Sequence, residues 1–147
     1  MLLLLAGPSG SGKSTAAALL KPKLKAEVYS GKGYLRMAKS PAEAWKKFQA
    51  VLQEAIDGKR NAILILVGTG NLEKFKAMGK FQLIRFTAPR EVLETRFAGR
   101  STPVTPQISK MIGDQEEKWK NVPCDLVIDT AKKTAEEAAR EIEGLVG

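Results

Sequence analysis

The sequence predicts an α/β fold in which helices cover both faces of a parallel β-sheet. Two observations support this prediction: short apolar segments of strand length recur along the chain, and segments with helical spacing separate them. Strands that alternate with helices form parallel sheets with right-handed crossovers. The 147 residues are enough for one domain with a sizeable core. We therefore expect residues 1–147 to form a single domain.

Five apolar segments are predicted as strands, in chain order Leu2–Leu5, Ala26–Tyr29, Asn61–Val67, Phe81–Phe86 and Leu126–Ile128. The first and third are almost continuously apolar, which is typical of strands buried on both faces of a sheet. The second has the weakest pattern of the five. Ligands of such sheets bind at the carboxyl ends of the strands, so the loops after these segments are where we expect the site.

Two helices have clear start signals. Ser40, Pro41 and Glu43 provide an N-cap, a first-turn proline and a reciprocal carboxylate for a helix over the following residues. Its apolar face carries Trp45, Phe48, Leu52 and Ala55. Thr134 and Glu137 form a second capping box before the last helix. We expect both tryptophans, Trp45 and Trp119, to pack in the core.

The composition excludes several kinds of active site. The chain has no histidine, and its one cysteine, Cys124, has no partner, which excludes a Ser-His-Asp triad, a His-ligated zinc or haem, and a disulfide framework. The formal net charge of +8 predicts attraction to anions such as nucleotides or nucleic acids. The apolar start, Met1–Ala6, is too short for a signal core or a membrane span. We expect a cytoplasmic monomer without membrane association.

Residues 7–15, GPSGSGKST, match the Walker A pattern G-x-x-x-x-G-K-[ST]. They lie directly between a predicted buried strand and a helical segment. Small residues allow successive backbone N–H groups to turn inward around a polyphosphate, and the helix that follows adds its positive dipole end. The residues predicted to bind phosphate are Gly7, Ser9, Gly10, Ser11, Gly12, Lys13, Ser14 and Thr15.

Two residues of this loop have separate predicted roles. Lys13 is expected to reach the β- and γ-phosphates of ATP, and the Ser14 hydroxyl is expected to be a ligand of Mg²⁺. The alternative is a glycine-rich turn without function, which the strand before it and the helix after it disfavour. The chain is too short for motors or ring ATPases and lacks the N-K-x-D guanine motif. Among proteins with a Walker A loop, the small kinases are therefore the class that the sequence still permits.

The sequence resembles the nucleoside monophosphate kinases, a group of P-loop kinases that includes adenylate kinase. The phosphate loop carries the strongest resemblance, and SGKGYLR (30–36), RFAGR (96–100) and DQEE (114–117) carry weaker parts. The resemblance implies a P-loop NTPase fold with a five-stranded parallel sheet in the order 2-3-1-4-5 and a short lid at about residues 100–106. It also implies that Arg36 binds the acceptor phosphate.

Arg96 and Arg100 are predicted to be catalytic together with Lys13. The resemblance implies that both arginines clamp the transferring phosphates. Independently, they lie four residues apart on a predicted helix, so both side chains leave the same face. Forked guanidinium donors suit the negative charge that phosphoryl transfer spreads over three oxygens. The alternative is that they pair with Glu91 or Glu94 on the helix surface.

Tyr34 is predicted to contact the acceptor beside Arg36, either as a platform for a nucleobase or as a cover over hydrophobic surface.

The segments after strands two and three, SGKG (30–33) and VGTG (67–70), contain no Asp or Glu. A hydroxyl acceptor commonly needs such a carboxylate as base, whereas a phosphate acceptor is already ionised. The prediction is therefore transfer of the γ-phosphoryl of Mg-ATP to a small phosphorylated acceptor, a nucleoside monophosphate.

Two alternatives stay open. The segment Gly68–Leu72, together with Arg96, Arg100 and the stretch Thr105–Met111, is also similar to polynucleotide 5′-hydroxyl kinases, and the positive charge suits a nucleic acid acceptor. The absent carboxylates also permit an ATP-binding module with little or no transfer activity.

Overall fold

The computed structural model describes residues 1–30, 32–99 and 103–146 of the chain. Strands and helices alternate along it as the sequence predicts. The elements are β1 (Leu2–Ala6), α1 (Lys13–Leu24), β2 (Glu27–Ser30), a 3-10 helix (Gly33–Met37), α2 (Pro41–Ile56), β3 (Ala62–Leu66), α3 (Leu72–Met78), β4 (Gln82–Thr87), α4 (Arg90–Ala98), α5 (Pro106–Lys120), β5 (Leu126–Asp129) and α6 (Ala135–Val146).

The five strands form one parallel sheet in the order β2-β3-β1-β4-β5, so the predicted order is confirmed. β1 is central, and every one of its residues is buried. Leu4 of β1 lies opposite Leu64 of β3 on one side and Leu83 of β4 on the other. This central position explains the continuously apolar sequence of β1, because helices cover both faces of the strand.

Alternate residues of β1 pack into two separate cores. Leu4 faces the cluster that contains Phe48 and Phe75 of α2 and α3, together with Trp119 of α5. Leu3 faces the cluster formed with α1 and α6. Burial of each such side chain stabilises the fold by about 1.5–3 kcal/mol, so this central strand is well fixed and the loop after it has a rigid start.

The predicted helix starts are confirmed. Ser40 Oγ accepts a hydrogen bond from the Glu43 N–H at 3.2 Å, and Pro41 begins α2. Thr134 and Glu137 form a reciprocal capping box in which both hydrogen bonds are 3.1 Å long. No helix in the described part of the chain is long and apolar enough to cross a membrane.

Around the predicted lid the structure differs from the expectation. Pro106 is the first residue of α5 rather than a lid residue, because Thr105 Oγ1 accepts from the Ile108 N–H at 3.2 Å and caps the helix there. α4 ends at Ala98, before Arg100. Arg100 and the lid residues 101 and 102 lie outside the described residues, so the shared helix face of Arg96 and Arg100 stays a prediction.

Candidate functional site

The phosphate loop connects the end of β1 to the start of α1. Pro8–Ser11 form a turn that the Ser11 N–H closes on the Pro8 carbonyl at 3.3 Å. Gly10 and Gly12 have φ angles of +82° and +93°, which side chains other than glycine's rarely adopt. At Gly7 a Cβ atom would lie 2.3 Å from the backbone oxygen of Phe86 in β4. The motif glycines are therefore required both by backbone conformation and by close packing.

Lys13 is buried, and its side chain folds back into the loop. Its Nζ donates to the Gly7 carbonyl at 2.6 Å, to the Pro8 carbonyl at 2.7 Å and to Ser11 Oγ at 3.3 Å. Burial lowers the pKa of the Lys13 ammonium to about 8. The protein thus keeps a cation beside the loop amides and holds it there with oxygen acceptors.

A cavity of about 970 Å³ opens beside this loop at the carboxyl ends of β1 and β3. Four cationic side chains line it, namely Lys13, Lys32, Arg96 and Lys133. No Asp or Glu is among the lining residues in the described parts of the chain. The predicted phosphate-binding residues Ser9, Gly10, Ser11, Gly12, Lys13, Ser14 and Thr15 all line the cavity, and Gly7 contributes the carbonyl that holds Lys13. The described lining of the cavity is therefore positively charged.

Arg96 reaches the phosphate loop from α4. Its Nη1 donates to the Gly10 carbonyl at 3.2 Å and to Thr130 Oγ1 at 2.6 Å, and its Nη2 donates to the Thr130 carbonyl at 2.9 Å. The Thr130 hydroxyl in turn donates to the Ser11 carbonyl at 3.0 Å. Within the described residues Arg96 forms no ion pair with Glu91 or Glu94, so the surface-pair alternative is wrong for this residue.

Two contacts of α5 with this site were not predicted from the sequence. Gln115 Oε1 accepts a hydrogen bond from the Ser9 N–H at 2.8 Å, and Trp119 Nε1 donates to the Val67 carbonyl at 2.7 Å. Trp119 is buried, as expected for a core residue. Gln115 is 106 residues from Ser9 in sequence, so no local pattern could have indicated the contact.

The predicted acceptor residues do not line the cavity. Tyr34 lies in the 3-10 helix and stacks on Phe48 at 5.1 Å between ring centroids, with Trp45 edge-on at 5.3 Å. Its ring therefore covers hydrophobic surface, which was the alternative interpretation. Arg36 is exposed on the same 3-10 helix. The cation of this segment that does line the cavity is Lys32.

Ser14 is the residue predicted from the sequence as a magnesium ligand, and that role stays a prediction. It is exposed in the first turn of α1, next to Lys13, and lines the cavity. The described residues contain no group of three His, Cys, Asp or Glu side chains able to hold a metal. Mg²⁺ commonly keeps several waters and takes most other ligands from substrate phosphates, so one protein oxygen fits this chemistry.

Several solved structures are similar to this one over nearly the whole chain. The YorR protein of Bacillus subtilis, in complex with phosphorylated GDP, has 21% identity and a TM-score of 0.72, and the match covers 99% of this chain and 95% of that one. The tunicamycin resistance protein of Deinococcus radiodurans has 17% identity and a TM-score of 0.71 over 99% and 95% of the two chains. The shikimate kinase of Aquifex aeolicus has 20% identity and a TM-score of 0.61 over 99% and 96%.

The chain shares the fold of these proteins, a five-stranded parallel sheet with helices on both faces. No protein-family model and no curated protein sequence matches it. Within this fold, the loop of residues 7–15 follows the central strand, and the cavity lies at the carboxyl edge of the sheet.

Proposed function

We propose that this protein is an ATP-dependent phosphotransferase that moves the γ-phosphoryl group to a small phosphorylated acceptor, a nucleoside monophosphate. The observation that carries the proposal is the cavity itself: a Walker A loop forms one wall, four cations line it, and no carboxylate lines it among the described residues. Such a lining attracts two anionic substrates, and it contains no group that repels them.

On the donor side, the loop amides and Lys13 bind the β- and γ-phosphates of ATP. The three hydrogen bonds of the Lys13 ammonium are to acceptors in the loop, so phosphate oxygens can replace them without a large movement. Arg96 and Arg100 donate to the transferring group. Ser14 holds Mg²⁺, which supplies charge neutralisation at the phosphate oxygens when bound. The segment after β5, around Thr130, forms the wall of the cavity that contacts the nucleoside part of ATP.

On the acceptor side, Lys32 contacts the acceptor phosphate, and Arg36 of the neighbouring 3-10 helix contributes charge at the rim. An acceptor hydroxyl would need a base to take its proton. A phosphomonoester has its second pKa near 6 and is largely ionised at neutral pH, so it attacks without a protein base. Tyr34 keeps the 3-10 helix packed on α2 and thereby places Lys32 and Arg36.

A second candidate acceptor is the 5′ end of an oligonucleotide. Further basic side chains lie on the elements next to the 3-10 helix: Lys47 donates to the Met37 carbonyl at 3.3 Å, and Lys74 lies 5.1 Å from the Trp45 ring centroid. With Lys32 and Arg36 they form a positive surface that suits a polyanion. The acid-free cavity favours the monophosphate, because a 5′-hydroxyl is not ionised.

The deciding experiment is an acceptor screen. The protein is incubated with Mg-ATP and, separately, with nucleoside monophosphates, 5′-hydroxyl oligonucleotides and sugars, and the products are identified by mass. A nucleoside diphosphate product supports the proposal, and a 5′-phosphorylated oligonucleotide supports the second candidate. Nucleotide binding without any product would instead support an ATP-binding module.

A further inference from the structure

Helix α5 is joined to both loops that form the floor of the cavity. Gln115 Oε1 accepts from the Ser9 N–H in the phosphate loop, and Trp119, one turn later, donates to the Val67 carbonyl after β3. Ser9 and Val67 both line the cavity. Positions four residues apart share one face of a helix, so a single face of α5 holds both loops.

The dipeptide Ser9–Gly10 of the phosphate loop, called here the Ser9–Gly10 step, is held by hydrogen bonds at the Ser9 N–H and at the Gly10 carbonyl. Gln115 of α5 accepts from its N–H, and Arg96 of α4 donates to the Gly10 carbonyl. The turn Pro8–Ser11 itself uses the Pro8 carbonyl and the Ser11 N–H, so it leaves the Ser9 N–H for another acceptor. The two helices that flank residues 99–105 therefore fix the orientation of this step from outside the loop.

The position of this step within the loop suggests its role. The later part of the loop leads into α1, where the helix N-terminus and Lys13 hold the inner phosphates of a nucleotide. The earlier part, around Ser9, then flanks the terminal phosphate on the side that faces Val67. We propose that Gln115 is a positioning residue, which holds the Ser9 turn against the terminal phosphate and couples that turn to α5. This inference rests on the proposed binding of ATP.

The test compares a triphosphate with a diphosphate. In Gln115→Leu we expect a non-hydrolysable ATP analogue to bind about five- to ten-fold more weakly, while ADP affinity stays within about two-fold, because one hydrogen bond beside the terminal phosphate is lost. Calorimetry measures both dissociation constants. The matched control is Gln107→Leu, the same substitution at an exposed position of the same helix, which should leave both constants unchanged.

A second variant removes the other partner of the hydrogen bond. Ser9 is the second residue of a turn whose third residue, Gly10, has φ +82°, the pattern of a type II turn. Proline is favoured at that second position, so Ser9→Pro should preserve the turn. It deletes the N–H together with the Ser9 hydroxyl, which forms no hydrogen bond within the described residues. We expect Ser9→Pro to weaken binding of the ATP analogue by the same factor as Gln115→Leu does. The double variant should bind the analogue no more weakly than either single variant.

Three results would overturn the inference. The first is unchanged affinity for the ATP analogue in Gln115→Leu, or in Ser9→Pro if the former does not fold. The second is an equal loss for ADP and the analogue, which indicates a general structural role. The third is a double variant whose fold-decrease in affinity for the ATP analogue equals the product of the fold-decreases in the two single variants. If the unsubstituted protein binds neither nucleotide, the proposed function fails as well, which distinguishes that failure from failure of the Gln115 role alone.

Discussion

The two sides of the cavity are built in different ways. On the proposed donor side, Lys13 and Arg96 are each fixed by three hydrogen bonds, all to the phosphate loop or to Thr130. On the proposed acceptor side, Lys32 and Arg36 are exposed, and neither side chain forms a hydrogen bond or an ion pair within the described residues. Their segment is anchored instead by aromatic packing.

The difference shows how each side can recognise its ligand. Under the proposed function, a triphosphate would meet charges that are already oriented, and this preorganisation would avoid reorganisation during phosphoryl transfer. The segment of the proposed acceptor side instead packs on an aromatic cluster formed by Tyr34, Trp45, Phe48 and Phe75, and Lys74 lies over the Trp45 ring. Substitutions on the donor side should therefore reduce activity far more than those on the acceptor side.

The largest effect is expected from Lys13→Ala. Loss of the buried ammonium removes the charge beside the β- and γ-phosphates, and the transfer rate should fall by about 100- to 1,000-fold. Steady-state kinetics with Mg-ATP measures the loss. Lys21→Ala, at an exposed position of the same helix, should keep full activity. A Lys13→Ala variant that retains more than a tenth of the rate would contradict the proposed donor site.

Arg96→Ala should have the next largest effect. It removes a forked donor that also ties α4 to the Gly10 carbonyl, so we expect kcat to fall by about 20-fold with a smaller change in ADP affinity. Arg140→Ala, an exposed arginine of α6, is the control. If Arg96→Ala weakens ADP binding as much as it lowers kcat, Arg96 stabilises the bound nucleotide and not the transferring group.

The pH dependence of nucleotide binding tests the donor side without substitution. Burial lowers the pKa of Lys13 to about 8, and a bound phosphate raises this pKa again because it favours the ammonium. Above pH 8, binding therefore takes up a proton, and affinity should fall by about ten-fold per pH unit. Calorimetry of ADP between pH 7 and 9.5 measures this fall. A flat profile would mean that Lys13 stays protonated in the free protein.

The smallest effects are expected on the acceptor side. Lys32 lines the cavity, so Lys32→Ala should raise the KM of the acceptor by about five-fold with little change in kcat. Arg36 lies outside the cavity, and Arg36→Ala should raise that KM by only about two-fold. Both are measured by varying the acceptor at saturating ATP. The reverse ranking would show that the 3-10 helix moves toward the cavity when the acceptor binds.

Features that depend on local sequence were predictable. The strand pattern, the N-cap at Ser40, the capping box at Thr134 and the phosphate loop each lie within a short stretch of chain, and the physical reason for each residue type is local as well. The glycines of the loop are an example, because their positive φ angles follow from the turn that the motif encodes. The order of the strands was inferred correctly from the resemblance to a kinase family.

Features that depend on distant contacts were not predictable. The stacking of Tyr34 on Phe48, the bonds of Arg96 to Thr130 and the bond of Gln115 to Ser9 all join residues that the chain order separates. The burial of a side chain and its hydrogen-bond partners depend on which elements pack against each other after the sheet forms. One sequence pattern is compatible with several such packing arrangements. Short-range chemistry thus set the phosphate loop and the sheet, whereas packing between elements decided which side chains reach the cavity.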